Sequence, residues 1–313
     1  MWVFVERYGV ASALNGVIAA ALNCHARCEE QLRDLPLNAI QLANGPDPET
    51  CIALSTFDIE VGRLEACWYL LLRANDVEQW RQASARCRKV RRLLAPLTWQ
   101  ALGGAVRVIR DADLSGHPKR ARAARRVASS VERLRVRQDQ PAKIAKLLHR
   151  DVDLWRSFSG HCPELDDAVI ERNLLRAVVR ERRRFYGLAA ADPQKTCSRR
   201  GDLRKALRCT QRLIWQLELV GAEGSDGLGP LLADLRQAGE TLAEQCAVAV
   251  FAGQLDKWPI RGPDRRRLKK AIGRSRKQLH RESRRQVDWP PGDLALSIRR
   301  QVRSWALRSS MDD

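Results

Sequence analysis

Apolar side chains return every three to four positions along nearly the whole 313-residue chain, and the strict alternation of a half-buried strand is almost absent. A period near 3.6 fixes the class, because helices with one apolar stripe must cover one another. Gly and Pro clusters interrupt the pattern at Asn44-Gly45-Pro46, Leu114–Pro118, Ser159–Pro163, Ala191-Asp192-Pro193, Gly221–Pro230, Gly262-Pro263 and Pro290-Pro291-Gly292. Such punctuation leaves about eight or nine helical segments. Pro96 and Pro141 fall inside helical patterns, where a ring without an N–H is expected to kink or break the helix. The first segment carries Leu14, Val17, Ile18 and Leu22 on one face, and Asn15 interrupts its apolar run. It therefore reads as a bundle helix and not as a signal or membrane-spanning segment.

Four segments precede Ser159 and four follow it, and Asp47-Pro48 and Asp192-Pro193 each introduce a helix with an N-terminal proline. That symmetry predicts an internal duplication: an all-α fold of two pseudo-symmetric four-helix bundles, residues 1–158 and 159–288. Residues 289–313 form a C-terminal appendix in which Leu294, Ile298, Val302 and Trp305 mark one further short helix.

The most informative single stretch is Leu203–Gly221. At ~100° per residue, Leu203, Leu207, Thr210, Ile214 and Leu217 share one face, while Arg204, Arg208, Gln211, Arg212 and Trp215 fall on another with Lys205 at its edge. Gly221 is placed to end the helix as a C-cap glycine. Arginines at i, i+4 and i+8 repel one another by a few tenths of a kcal/mol per pair. An ordinary solvated face alternates sign, whereas this one meets no carboxylate of its own helix until Glu218. The ladder suits an anion.

Three more basic clusters accompany it. Arg261–Arg285 holds twelve Lys/Arg, with Arg266, Lys270, Arg274, Lys277, Arg281 and Arg284 stepping along one face and Leu268, Ile272 and Leu279 on the packing side. Arg122, Arg126, Arg133 and Arg137 form another ladder, and Arg86, Arg88, Lys89, Arg91 and Arg92 a third cluster. The formal net charge of +19 agrees with a polyanionic partner: nucleic acid, polyphosphate or an anionic membrane surface.

Nine cysteines at irregular spacing, an odd count, argue against a disulfide framework and for a reducing cytosol. Cys24, His25 and Cys28 lack a fourth ligand at usable spacing, so no metal site is expected there. The histidines, at 25, 117, 149, 161 and 280, show no partner pattern and read as loop or surface residues. No phosphate-binding glycine loop, zinc-protease helix or Gly-x-Ser-x-Gly elbow is present, so neither an enzyme nor a cofactor is expected. Trp215 is the tryptophan expected beside a basic face, and Trp68, Trp80, Trp99 and Trp155 are expected in packing.

The run Arg204-Lys205-Ala206-Leu207-Arg208, continued by Arg212-Leu213, Trp215 and Leu217-Glu218-Leu219, resembles the second half of CHAD domains, the conserved-histidine α-helical domains. Asp47-Pro48-Glu49, Leu102-Gly103-Gly104 with Arg110-Asp111-Ala112-Asp113, and Gly229-Pro230-Leu231-Leu232 with Leu242-Ala243-Glu244 resemble further family segments. The similarity covers roughly residues 10 to 285. It implies two pseudo-symmetric helical bundles that bind inorganic polyphosphate. The histidines that name the family fall where this chain has Ile52 and Arg204, and Arg63 is the lone cation between Asp47 and Leu72. The triphosphatase motif Glu-x-Glu-x-Lys, often attached to such domains, is absent.

Together these readings predict non-enzymatic binding of polyphosphate, in the cytoplasm or on polyphosphate granules. The expected contacts are Arg204, Lys205, Arg208, Arg212, Arg110, Arg122, Arg126, Arg266, Lys270 and Arg274. Guanidinium forks donate paired hydrogen bonds to phosphate oxygens, and a helix repeats them about every 6 Å. Two alternatives stay open: a general nucleic-acid-binding protein, and a helical scaffold for protein contacts that has lost its anion site.

Overall fold

The computed structural model describes residues 13–34, 48–71, 77–101, 140–161, 167–190, 200–225, 227–254, 262–283 and 294–309. Among them are nine α-helices and no strand: α1 Ala13–Asp34, α2 Pro48–Leu70, α3 Val77–Ala101, α4 Gln140–His161, α5 Asp167–Ala190, α6 Arg200–Leu219, α7 Gly229–Gln254, α8 Gly262–Ser283 and α9 Leu294–Ser309. The expected all-α class is what the chain adopts. No helix among the described residues is long and apolar enough to cross a membrane.

Helix α3 runs through Pro96 to Ala101. Pro141 sits in the first turn of α4, where the missing N–H would have had no partner anyway. Helix α4 continues to His161, past Ser159, where the break was expected to start.

Helices α1 and α3 each pack against both α2 and α4, closing a four-membered unit. Trp68 of α2 and Trp155 of α4 are fully buried with ring centroids 4.0 Å apart, as expected of packing tryptophans. In the second half α5 packs on α6, α6 on α7, and α7 on α8. The two halves meet where α2 crosses α6, and one continuous apolar core takes residues from both. Each fully buried aliphatic side chain contributes about 1.5–3 kcal/mol to that core.

Helix α9 is seated against α1 and α5. Its Ile298, Val302 and Ala306 join the common core, and Gln301 Nε2 donates to the Val220 carbonyl (2.7 Å) and the Gly221 carbonyl (2.8 Å). Carbonyls at a helix end lack intrahelical partners, so one side chain of the last helix satisfies the end of α6. Gly221 itself is left-handed (φ 72°, ψ 37°), its N–H donating to the Glu218 carbonyl at 2.9 Å. It ends α6 as its position in the sequence predicts.

Candidate functional site

The apolar stripe of α6 is buried as its period requires: Leu203, Leu207, Thr210, Ile214 and Leu217 are all in the core. The arginine ladder beside it divides. Arg204 and Arg208 are half-buried against α7, close enough to Cys246 that burial raises the thiol's pKa to about 12 while the two guanidiniums pull the other way. Arg204 Nε is buried with no hydrogen-bond partner among the described residues, whereas Lys205 is exposed.

Arg212 faces α2. Its guanidinium stacks on Tyr69, 3.5 Å from the ring centroid, and lies 3.8 Å from Glu65 Oε1. A cation held over an aromatic face in this way gains about 0.5–2 kcal/mol. Carboxylates missing from α6 itself are thus supplied by α2, which no pattern within one helix reveals.

Next to Arg212 a cleft opens between α2, α5 and α6, with about 400 Å³ of empty space that includes open solvent. Arg176, Arg180 and Arg212 line it together with Tyr69, Glu181 and Gln216. Arg176 and Arg180 are exposed, and neither forms an ion pair among the described residues. Arg172 and Arg183 extend the same row of α5 and are exposed as well. These α5 arginines were not among the expected contacts, although their spacing is the one that marks α6. The signal was legible in Glu171–Arg184 and was masked by the apolar residues between them.

Inside the cleft Glu181 is buried. Its Oε1 accepts from Thr210 Oγ1 (2.5 Å) and its Oε2 from Arg184 (2.5 Å). Burial raises the Glu181 pKa above the ordinary carboxylate value, against the lowering effects of the Thr210 hydrogen bond and of Arg184, Arg212 and Arg180. Gln216 Nε2 donates to the Ala66 carbonyl (3.3 Å), and Gln216 Oε1 is buried with no partner among the described residues.

The other expected contacts separate. Arg266, Lys270 and Arg274 are exposed along α8 with Lys277 and Arg281, while Leu268, Ile272 and Leu279 are buried and α8 packs along α7. Arg110, Arg122 and Arg126, with Arg133 and Arg137, lie outside the described residues.

In the Arg86–Arg92 cluster, Arg91 is only 6% exposed. It pairs with Asp58 (3.2 Å) and Glu65 (3.3 Å) and lies over Trp215 at 5.5 Å. Burial lowers its pKa, but the two carboxylates outweigh it and the net shift is upward. Arg91 is a structural cation. Trp215 is correspondingly not a surface aromatic but a buried residue of the α2–α6 seam. Arg63, the lone cation of the first-half counterpart, donates to Glu60 at 2.7 Å, and Glu60 also takes Arg27 at 2.9 Å.

His25 corrects the reading of the histidines. It is buried, its Nε2 2.9 Å from Asp151 Oδ2, and Trp68 Nε1 donates to the same carboxylate at 3.1 Å. The partner lies 126 positions away in sequence, beyond any local pattern.

Comparison with protein families, with curated proteins and with solved structures finds no match for this chain.

Proposed function

We propose that the chain is a non-enzymatic binder of inorganic polyphosphate, with the α5–α6 cleft at the centre of its binding surface. The observation that carries this reading is the meeting of Arg176, Arg180 and Arg212 in one cleft, continued on α5 by exposed Arg172 and Arg183. Successive forks about one helical turn apart match a chain that presents a phosphate every few ångströms and has no bases to read. Exposed Arg266, Lys270 and Arg274 on α8 add basic surface of the same kind. The CHAD-like run at 204–219 points the same way, and the resemblance implies an internal duplication into two four-helix units. In such a duplication α2 and α6 would be equivalent helices, and they pack on one another. A location in the cytoplasm or on polyphosphate granules follows from this role.

A specific observation favours single-stranded nucleic acid as the second reading. Tyr186 is 57% exposed at the far end of the α5 row, with the Arg182 guanidinium 5.7 Å from its ring. An exposed ring beside a basic row is a platform on which bases stack.

Competition at matched salt tests the proposal. Long-chain polyphosphate should displace duplex DNA and single-stranded RNA, each should displace polyphosphate poorly at equal phosphate concentration, and affinity should fall steeply with salt. Parity between the polymers overturns the polyphosphate reading in favour of nucleic acid, and a flat salt response overturns both.

A further inference from the structure

Glu181 is the only carboxylate among the described residues lining the cleft, which Arg176, Arg180 and Arg212 also line. Thr210 of α6 donates to one of its oxygens and Arg184 of α5 to the other. Arg180 and Arg212 also act on it electrostatically. Arg176 of α5, Cys209 of α6 and Tyr69 of α2 also line the cleft, and buried Glu65 of α2 lies 3.8 Å from Arg212. The charged groups that α9 turns toward α5, Arg299 and Arg303, pair instead with Glu171. From α1, the Ala13 amide pairs with Asp167 (2.8 Å). Both acceptors lie more than two helical turns before Glu181.

We propose that Glu181 is the cleft's internal counter-anion, and that a phosphate group binds there together with a proton taken up from solvent by the Glu181 carboxylate. The proposal rests on the polyanion-binding reading above and deepens it by making that binding depend on pH. Two anions at contact distance in a partly buried site cannot both remain ionised at low cost. With Glu181 charged, it engages Arg184 and offsets part of the positive potential of Arg212 and Arg180. With Glu181 neutral, its carboxyl stays in the same space, Arg184 is released from its ion pair, and the positive potential of Arg180 and Arg212 acts undiminished on the phosphate.

The folding balance agrees with a role beyond stability. Burial already raises the Glu181 pKa. A group so shifted contributes stability that is present below its unfolded pKa and is lost as pH rises through the folded one. Keeping this carboxylate charged at neutral pH therefore costs the fold stability. A buried charge in an otherwise cationic cleft is what coupling between proton and anion needs.

The test uses the full chain and long-chain polyphosphate, whose interior phosphates keep their charge over the range studied, at constant ionic strength. From about pH 8 to about pH 5.5, the wild-type affinity should rise about tenfold more than that of Glu181→Gln, one decade for each unit of pKa shift produced by binding. Calorimetry in two buffers of different ionisation heat should show proton uptake by the wild type that Glu181→Gln lacks. Thr210→Val, which keeps the shape and removes the donor to the carboxylate, should move the rise to higher pH. The same pH response and proton uptake in wild type and Glu181→Gln would overturn the proposal, as would an unmoved midpoint in Thr210→Val should the glutamine variant not fold. Failure of the underlying reading is distinct: Arg176→Ala with Arg180→Ala would then bind polyphosphate as tightly as the wild type.

Discussion

Gly62 of α2 and Trp215 of α6 are fitted face to face: a Cβ added at Gly62 would lie 2.1 Å from Trp215 Cζ3. The missing side chain lets the indole lie directly on the α2 backbone, and Arg91 covers the ring from α3. The contact lies in the seam where α2 packs on α6. Gly62→Ala should destabilise the protein by about 1–3 kcal/mol, the usual cost of overpacking a well-filled site. Pairing it with Trp215→Leu should recover part of that loss, giving a non-additive double-mutant cycle in urea denaturation. Strict additivity would mean the two residues do not constrain one another.

Asp151 gathers three groups from three helices: His25 of α1, Trp68 of α2 and, at 3.7 Å, Arg86 of α3. Removing the carboxylate leaves buried donors without a partner. Asp151→Ala is expected to cost about 3–5 kcal/mol, as breaking a buried pair does, and denaturant midpoints measure it. A loss no larger than that of an exposed substitution such as Asp153→Ala would count against the network.

Exposed and structural arginines should separate in binding. Arg176→Glu with Arg180→Glu should weaken polyphosphate affinity by about tenfold or more per position, on the scale of charge-assisted hydrogen bonds, with little change in melting temperature. Arg63→Ala should change affinity by no more than about twofold, because its guanidinium already serves Glu60. Arg212→Glu is expected to lose both affinity and stability, since Arg212 also stacks on Tyr69. Fluorescence titration beside thermal denaturation reads the two effects separately.

Alkaline pH should weaken the fold through its thiols. Burial, helped by Glu60, raises the Cys24 pKa from 9.0 to about 11, and burial raises Cys246 to about 12. A raised thiol contributes stability that is complete below the unfolded pKa, near 9, and is lost as pH climbs toward the folded one. Each such thiol can remove at most about 1.4 kcal/mol per pH unit over that window. Urea midpoints at about pH 8 and about pH 10 should differ, and Cys24→Ala should flatten the slope. An unchanged slope in that variant would show that Cys24 ionises freely in the folded chain.

The helical class, the buried stripe of α6, the cap at Gly221 and the two-faced character of α8 were all legible in the sequence. Each of these is local: it follows from a 3.6-residue period, or from the one residue type that tolerates a left-handed backbone. How far each cation is committed to partners within the fold depends on packing between helices. Arg91 and Arg212 look in sequence like Arg176 and Arg180, members of basic rows at helical spacing. Asp58, Glu65 and Tyr69, all on α2, engage the first pair, while the second pair stays exposed on α5. His25 of α1 and Asp151 of α4 meet in the same way, 126 positions apart in sequence. Periodicity reports which face of a helix is buried but not which helix covers it, and the pairing of charges is settled by the covering helix.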